Sequence, residues 1–187
     1  AVGDELAEQG GLAVLVALIC ILIYVSFRFE WRLALGSVAA LAHDVIITLG
    51  VFSIFQLEFD LTVLAGLLTV VGYSLNDTIV VFDRIRENFL KLRKGSPEEV
   101  VNTSITQTMS RTIITTGTTL VVVVALFLKG GTMIHGFATA LLMGIFVGTF
   151  SSIYVASFLA IKLGINREHM MPVEIEKEGA DQDTLMP

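Results

Sequence analysis

Apolar residues run along the chain in five long blocks, near 11–27, 33–55, 61–82, 112–128 and 136–161, with short polar breaks between them. A hydrocarbon core of roughly 30 Å takes about 20 helical residues to cross, and each block approaches or exceeds that length. Inside lipid no water satisfies exposed backbone, so each block is expected to be a helix; a membrane barrel would show short alternating segments instead. The first block is short and has room to start a few residues earlier. The pattern predicts an all-α membrane protein, a polytopic transmembrane helix bundle with five spans. It divides the chain into an exported-side segment 1–10, the bundle 11–162 with a cytoplasmic loop 83–110, and a cytoplasmic tail 163–187.

Composition supports this reading: 54% of the 187 residues are hydrophobic, and the mean hydropathy is +0.79, high for a water-soluble domain. The formal charge of -6 hides a segregation. Arg28 and Arg32 fall between blocks one and two. Arg84, Arg86, Lys91, Arg93, Lys94 and Arg111 fall between blocks three and four, and Lys162, Arg167 and Lys177 follow block five. Eleven of the 12 Lys and Arg residues thus share one face, with Lys129 alone on the other. The positive-inside rule makes the basic face cytoplasmic and leaves Asp4, Glu5, Glu8, Glu58 and Asp60 outside.

That orientation puts residue 1 outside, although no initiator methionine, signal peptide or earlier span is present to carry it there. The simplest expectation is a longer protein with at least one more span upstream. Unaided translocation of a short acidic tail is the other route.

In the loop, Ser96 reads as an N-cap, Pro97 as the first helical residue and Glu99 as the partner in a capping box. Val101, Ile105 and Met109 then share one face. Such a helix either lies along the cytoplasmic interface or leads the chain into the fourth span. Cys20 is the only cysteine, and no CxxC, Cys/His cluster, glycine-rich phosphate loop or basic-aromatic patch appears. The sequence therefore offers no disulfide within the chain, metal site, cofactor site or nucleic-acid surface. No nucleophile–base pair marks an enzyme.

Small residues recur every four positions in the last block: Gly136, Ala140, Gly144, Gly148, Ser152, Ala156 and Ala160. The second block carries Gly36, Ala40, Asp44 and Thr48 at the same spacing. Ridges of this kind let helix backbones approach closely.

Ionisable residues inside the spans carry the functional signal. A charge at the bilayer centre costs roughly 2.5–3.5 kcal/mol on insertion scales, so it needs a partner or a purpose. Asp44 falls about 16 Å into block two and Asp77 about 24 Å into block three, at 1.5 Å per residue. Asn76, Ser74 and Thr78 add polarity beside Asp77, and Arg111 opens block four at a similar depth, with Thr115 and Thr119 continuing its face. An aspartate poised between a dry environment and an arginine can change protonation when its partner moves. A static buried pair that fixes helix register is the competing reading. Asp44 is open between supporting a proton route and holding a neighbouring helix. His43, about 100° around the helix from it, is a weaker candidate. The run Asp83-Arg84-Ile85-Arg86-Glu87 suits self-paired charges at a helix end.

The stretch Gly72-Tyr73-Ser74-Leu75-Asn76-Asp77-Thr78-Ile79-Val80-Val81-Phe82-Asp83-Arg84-Ile85-Arg86-Glu87-Asn88 resembles the signature of the SecF family of bacterial protein-translocase subunits. Leu41-Ala42-His43-Asp44, Arg111 through Thr119, Ser151 through Ala156 and the tail from Arg167 to Asp181 are similar to it as well. The resemblance implies the resistance-nodulation-division superfamily and a six-span half of which these five spans form the C-terminal part. An upstream span and a periplasmic domain would precede them. It implies a role in using the proton-motive force to assist preprotein export across the bacterial inner membrane. SecD is then the partner, working beside the SecYEG channel and the SecA motor, with YajC and YidC as further partners and the lipid bilayer as surroundings. It also assigns Asp77, Arg111 and Thr115 to the proton pathway, while Asp44, His43 and Asn76 are candidate supporting polar residues on the reading of the spans alone. A proton-driven small-molecule exporter of the same superfamily and a non-transporting membrane scaffold are the alternatives. The exporter reading is weakened by the short outer connections near 56–60 and 129–135.

Overall fold

The computed structural model describes residues 2–92, 95–166 and 168. Helices α1 (Val2–Arg28), α2 (Trp31–Ile54), α3 (Leu61–Lys91), α4 (Pro97–Lys129), α5 (Thr132–Ile153) and α6 (Val155–Lys162) follow one another. Five helical segments are long and apolar enough to cross a membrane, α5 and α6 together forming the fifth (Thr132–Lys162).

Each helix start has a local cause. Asp60 Oδ1 accepts from the backbone N of Thr62 at 3.0 Å and of Val63 at 2.9 Å, and from Thr62 Oγ1 at 2.7 Å, which caps α3. The Thr62 hydroxyl first, and then the Val63 amide, hold the Asp60 carboxyl below the ordinary carboxylate range. Ser96 and Glu99 close the expected capping box, Glu99 N to Ser96 Oγ at 3.3 Å and Ser96 N to Glu99 Oε2 at 3.0 Å. Glu30 caps α2 by accepting from Arg32 N at 3.2 Å, and its carboxylate also pairs with the Arg32 guanidinium.

Three boundaries differ from the sequence expectation. The first helix begins at Val2 rather than near residue 11. Gly10 and Gly11 do not interrupt it; Gly10 faces Leu64 of α3, and no proline forces a stop. The region 83–110 is largely helical, because α3 runs on to Lys91 and the capped helix starting at Pro97 continues without a break to Lys129. The amphipathic segment is thus the lead-in to the fourth span, tied to α3 where Asn88 Nδ2 donates to Ser104 Oγ at 2.8 Å and Gln107 Oε1 at 3.0 Å. The fifth span is divided at Tyr154, although backbone hydrogen bonds from Tyr154 N to Phe150 O and from Phe158 N to Tyr154 O, both 2.9 Å, bridge the junction. Arg93, Lys94, Arg167 and the tail from residue 169, Lys177 included, lie outside the described residues.

Helix α5 is the centre of the bundle and packs on α2, α3 and α4, while α6 packs on α2 and α1 lies against α2 and the edge of α3. The small-residue ridge makes this possible. A Cβ on Gly66 would stand 2.9 Å from Ala140 Cβ and 3.2 Å from the Phe137 carbonyl; one on Gly36 would stand 3.0 Å from the Ala156 carbonyl. A Cβ on Gly144 would run into the Val70 side chain. Glycine here sets the distance between helices.

Candidate functional site

Two polar centres lie inside the bundle, on different faces of α3. The first joins α2, α3 and α5 around Asp44, which is fully buried. Ser74 Oγ donates to Asp44 Oδ2 at 2.7 Å, and His43 Nδ1 stands 3.2 Å from Asp44 Oδ1. Thr78 Oγ1 donates to Ser152 Oγ at 2.9 Å, and Ser152 Oγ donates to the Ser74 carbonyl at 3.1 Å. Gly148 admits the cluster: a Cβ there would sit 3.1 Å from Ser74 Cβ and 3.3 Å from Asp44 Oδ2. Both oxygens of Asp44 therefore have partners. The cluster they belong to includes side chains of α2, α3 and α5.

The second centre is Asp77, 4% exposed, on the face of α3 turned towards α4. Its Oδ2 is one of three buried side-chain polar atoms without a hydrogen-bond partner among the described residues; Tyr73 Oη and Ser157 Oγ are the others. A buried polar atom without a partner costs about 1–3 kcal/mol, more when charged. The groups whose polarity acts on the Asp77 carboxyl are the Arg111 guanidinium and the Thr116 hydroxyl. Thr116 in turn meets Thr149 of α5, Oγ1 to Oγ1 at 3.1 Å.

Not every expected residue lies at this centre. Thr115 turns its hydroxyl back to its own helix, donating to the carbonyls of Arg111 at 2.9 Å and Thr112 at 3.1 Å. Thr116, the next residue, takes the place facing Asp77. Arg111 forms no ion pair within 4.0 Å among the described residues, so no static salt bridge joins it to Asp77. Arg111 instead lines a recess of about 250 Å³ at the basic end of the bundle, with Arg28, Asp83, Arg84, Gln107 and Thr108. Asn76 is exposed on the outer face of α3, away from both centres. Sequence reading missed Thr116 and Thr149, and counted Ser152 only as a small packing residue. The available signal was the four-residue register of hydroxyls at Thr108, Thr112 and Thr116, a period that cannot by itself be aimed at a particular neighbour. Among the described residues no three His, Cys, Asp or Glu side chains converge as a metal site would need.

These features define a class: a multi-pass helical membrane protein with paired acidic centres inside its bundle. Residues 1–166 match the family model for the protein export membrane protein SecD/SecF, C-terminal region. The chain is 73% identical over 184 residues to the protein translocase subunit SecF of Vibrio alginolyticus, a match covering 98% of this chain and 58% of the relative. It is 60% identical over 186 residues to SecF of Escherichia coli O157:H7, covering 100% of this chain and 58% of that protein. A crystal structure of SecDF from Thermus thermophilus, described as a translocon-associated membrane protein, superposes with a TM-score of 0.82 at 52% identity, over 86% of this chain and 22% of that one. A super-membrane-facing form of SecDF gives a TM-score of 0.80 over 87% of this chain and 22% of that one. The chain belongs to the SecD/SecF family of protein export membrane proteins, and it spans 58% of the length of these two SecF relatives.

Proposed function

We propose that the chain is the C-terminal membrane part of a SecF-type subunit that works with SecD in the inner membrane. It would use the proton-motive force to assist preprotein translocation beside the SecYEG channel and SecA, with YajC and YidC in the same assembly. The reading places the N-terminal end of α1 on the periplasmic side and the basic ends on the cytoplasmic side. One observation carries it: Asp77 is buried with an unpartnered oxygen, while Asp44, equally deep, is fully satisfied. An acid in the first state can take up and release a proton at little structural cost; one in the second holds helices together.

In this mechanism Asp77 carries the proton. Arg111 acts on it from the basic end, and Thr116 with Thr149 keeps α4 and α5 in register with it. Protonation weakens the pull of Arg111 on Asp77 and lets α4 shift against α3. Two features support SecD as the partner. Thr69, Gly72 and Asn76 share an exposed face of α3, and a Cβ on Gly72 or Gly117 would meet nothing within 4 Å. An uncovered amide in lipid is costly, so this face suits a second helix bundle.

The test is Asp77→Asn in the full-length protein. Proton-dependent stimulation of export in vesicles should be lost while SecD still co-purifies. Stimulation at the wild-type level would reject the assignment of Asp77.

A further inference from the structure

Three helices each send one arginine to the 250 Å³ recess at the basic end of the bundle: Arg28 from the last turn of α1, Arg84 from α3 and Arg111 from α4. One carboxylate, Asp83, shares the lining. It pairs with Arg28 at 3.2 Å, both groups being about half exposed, and a pair of that kind is weak in water. Arg84 reaches Glu87, outside the lining, at 2.7 Å. Arg111 has no ion pair within 4.0 Å among the described residues, so one guanidinium is left over. The residues next in line towards the middle of the bundle are apolar on all three helices. Ile79 and Val80 of α3 line the recess itself, while Ile23 and Phe27 of α1 and Ile113 and Ile114 of α4 are exposed. A cationic recess at the end of three spans, with bare apolar surface directly below it, has the layout of a phospholipid. Its phosphate would sit at the rim, where headgroups lie, and its acyl chains along the helices. A soluble anion would use the charge and leave the apolar flanks uncovered.

We propose that this recess binds the headgroup of an anionic phospholipid, with Arg28, Arg84 and Arg111 as donors to its phosphate and the acyl chains resting on α1 and α4. The planar fork of an arginine matches phosphate oxygens, and the single charge of a phosphodiester answers the one guanidinium without a carboxylate partner. Bound there, the lipid has a mechanical effect. Helix α1 lies against α2 and the edge of α3, and the phosphate links it to α4 as well. The inference goes beyond the role given to Asp77 and does not depend on it.

The test titrates full-length protein, purified with SecD, with dioctanoyl phosphatidylglycerol and counts bound lipid by native mass spectrometry. Dioctanoyl phosphatidylcholine and inorganic phosphate are run beside it. Phosphatidylglycerol should bind saturably and at least about fivefold tighter than phosphatidylcholine, and an equal concentration of phosphate should not displace it. An arginine near an anionic lipid is worth about fivefold in affinity, so Arg28→Gln combined with Arg84→Gln should weaken binding about 25-fold. Arg111 is left intact, which keeps the Asp77 centre out of the comparison. Equal binding of the two lipids overturns the proposal, as does a double variant within about twofold of wild type. Displacement by inorganic phosphate makes the recess a soluble-anion site and overturns the lipid assignment. Binding that appears only once SecD is removed overturns it too, since the partner then covers the recess. If the double variant does not assemble, Gln107→Glu is measured instead. It keeps the oxygen that accepts from Asn88 and adds a negative charge to the lining. Affinity for phosphatidylglycerol should then fall about fivefold, and an unchanged affinity overturns the proposal equally.

Discussion

Ser74 Oγ lies 2.7 Å from Asp44 Oδ2 and ties α3 to α2 where both side chains are sealed from water. Three residues further along α3, on another face, Asp77 keeps an oxygen without a partner. One helix thus carries a bonded polar joint and an acid with an unpartnered oxygen within a single turn. In the proposed role of Asp77, a change of its protonation leaves the α2–α3–α5 contact in place.

Asp44→Ala should destabilise the full-length protein by about 1–3 kcal/mol, since Ser74 loses its acceptor in a dry site. Asp44→Asn keeps an acceptor oxygen for Ser74 and should cost less. Thermal unfolding in detergent reads the order wild type, Asn, Ala. Equal midpoints for all three would show that the cluster does not hold the helices.

Gly66→Ala should cost about 1–3 kcal/mol, because the new methyl meets Ala140 and the Phe137 backbone, which cannot turn aside. Gly72→Ala enters open space and should change stability by less than about 0.5 kcal/mol. A bulkier Gly72→Leu should leave the full-length protein folded yet reduce SecD recovered on co-purification. Undiminished recovery would mean that the partner docks elsewhere.

The cap at Asp60 gives a pH signature. Its folded carboxyl is held below the ordinary value of 3.8, so its stabilisation is complete above that value and is lost as the pH falls through the folded one. Asp60→Ala should cost about 0.5–2 kcal/mol at neutral pH, as loss of an N-cap does. The gap between mutant and wild type should close well below pH 3.8. Melting curves compared at about pH 7 and in steps downward from about pH 4 read this directly, and a gap that persists at the acid end rules out the carboxylate as the cap.

The five apolar blocks, the capping box at Ser96 and the glycine ridge of the last span were legible because each is a local pattern. Length, an i,i+3 pair or a four-residue repeat needs no knowledge of neighbours. Helix ends past the apolar blocks were not, because charged stretches such as Asp83–Lys91 stay helical through tertiary ties, Asn88 to Ser104 among them. Asp44 and Asp77 were found from depth alone. Their different standing was not, since it depends on which side chains from α4 and α5 reach them. The choice of Thr116 over Thr115 turns on about 100° of helix rotation, a quantity only the packed bundle supplies.

The unbroken run of α4 from Pro97 to Lys129 has a mechanical consequence. Thr116, beside Asp77, is about 28 Å along the axis from the capped start of the helix at 1.5 Å per residue. Such a rod acts as a lever with its fulcrum in the membrane. With Asp77 in the proposed role, a tilt of about 10° at the acid would swing its far tip by about 5 Å, carrying the loss of one charge to the basic end of the bundle as a displacement.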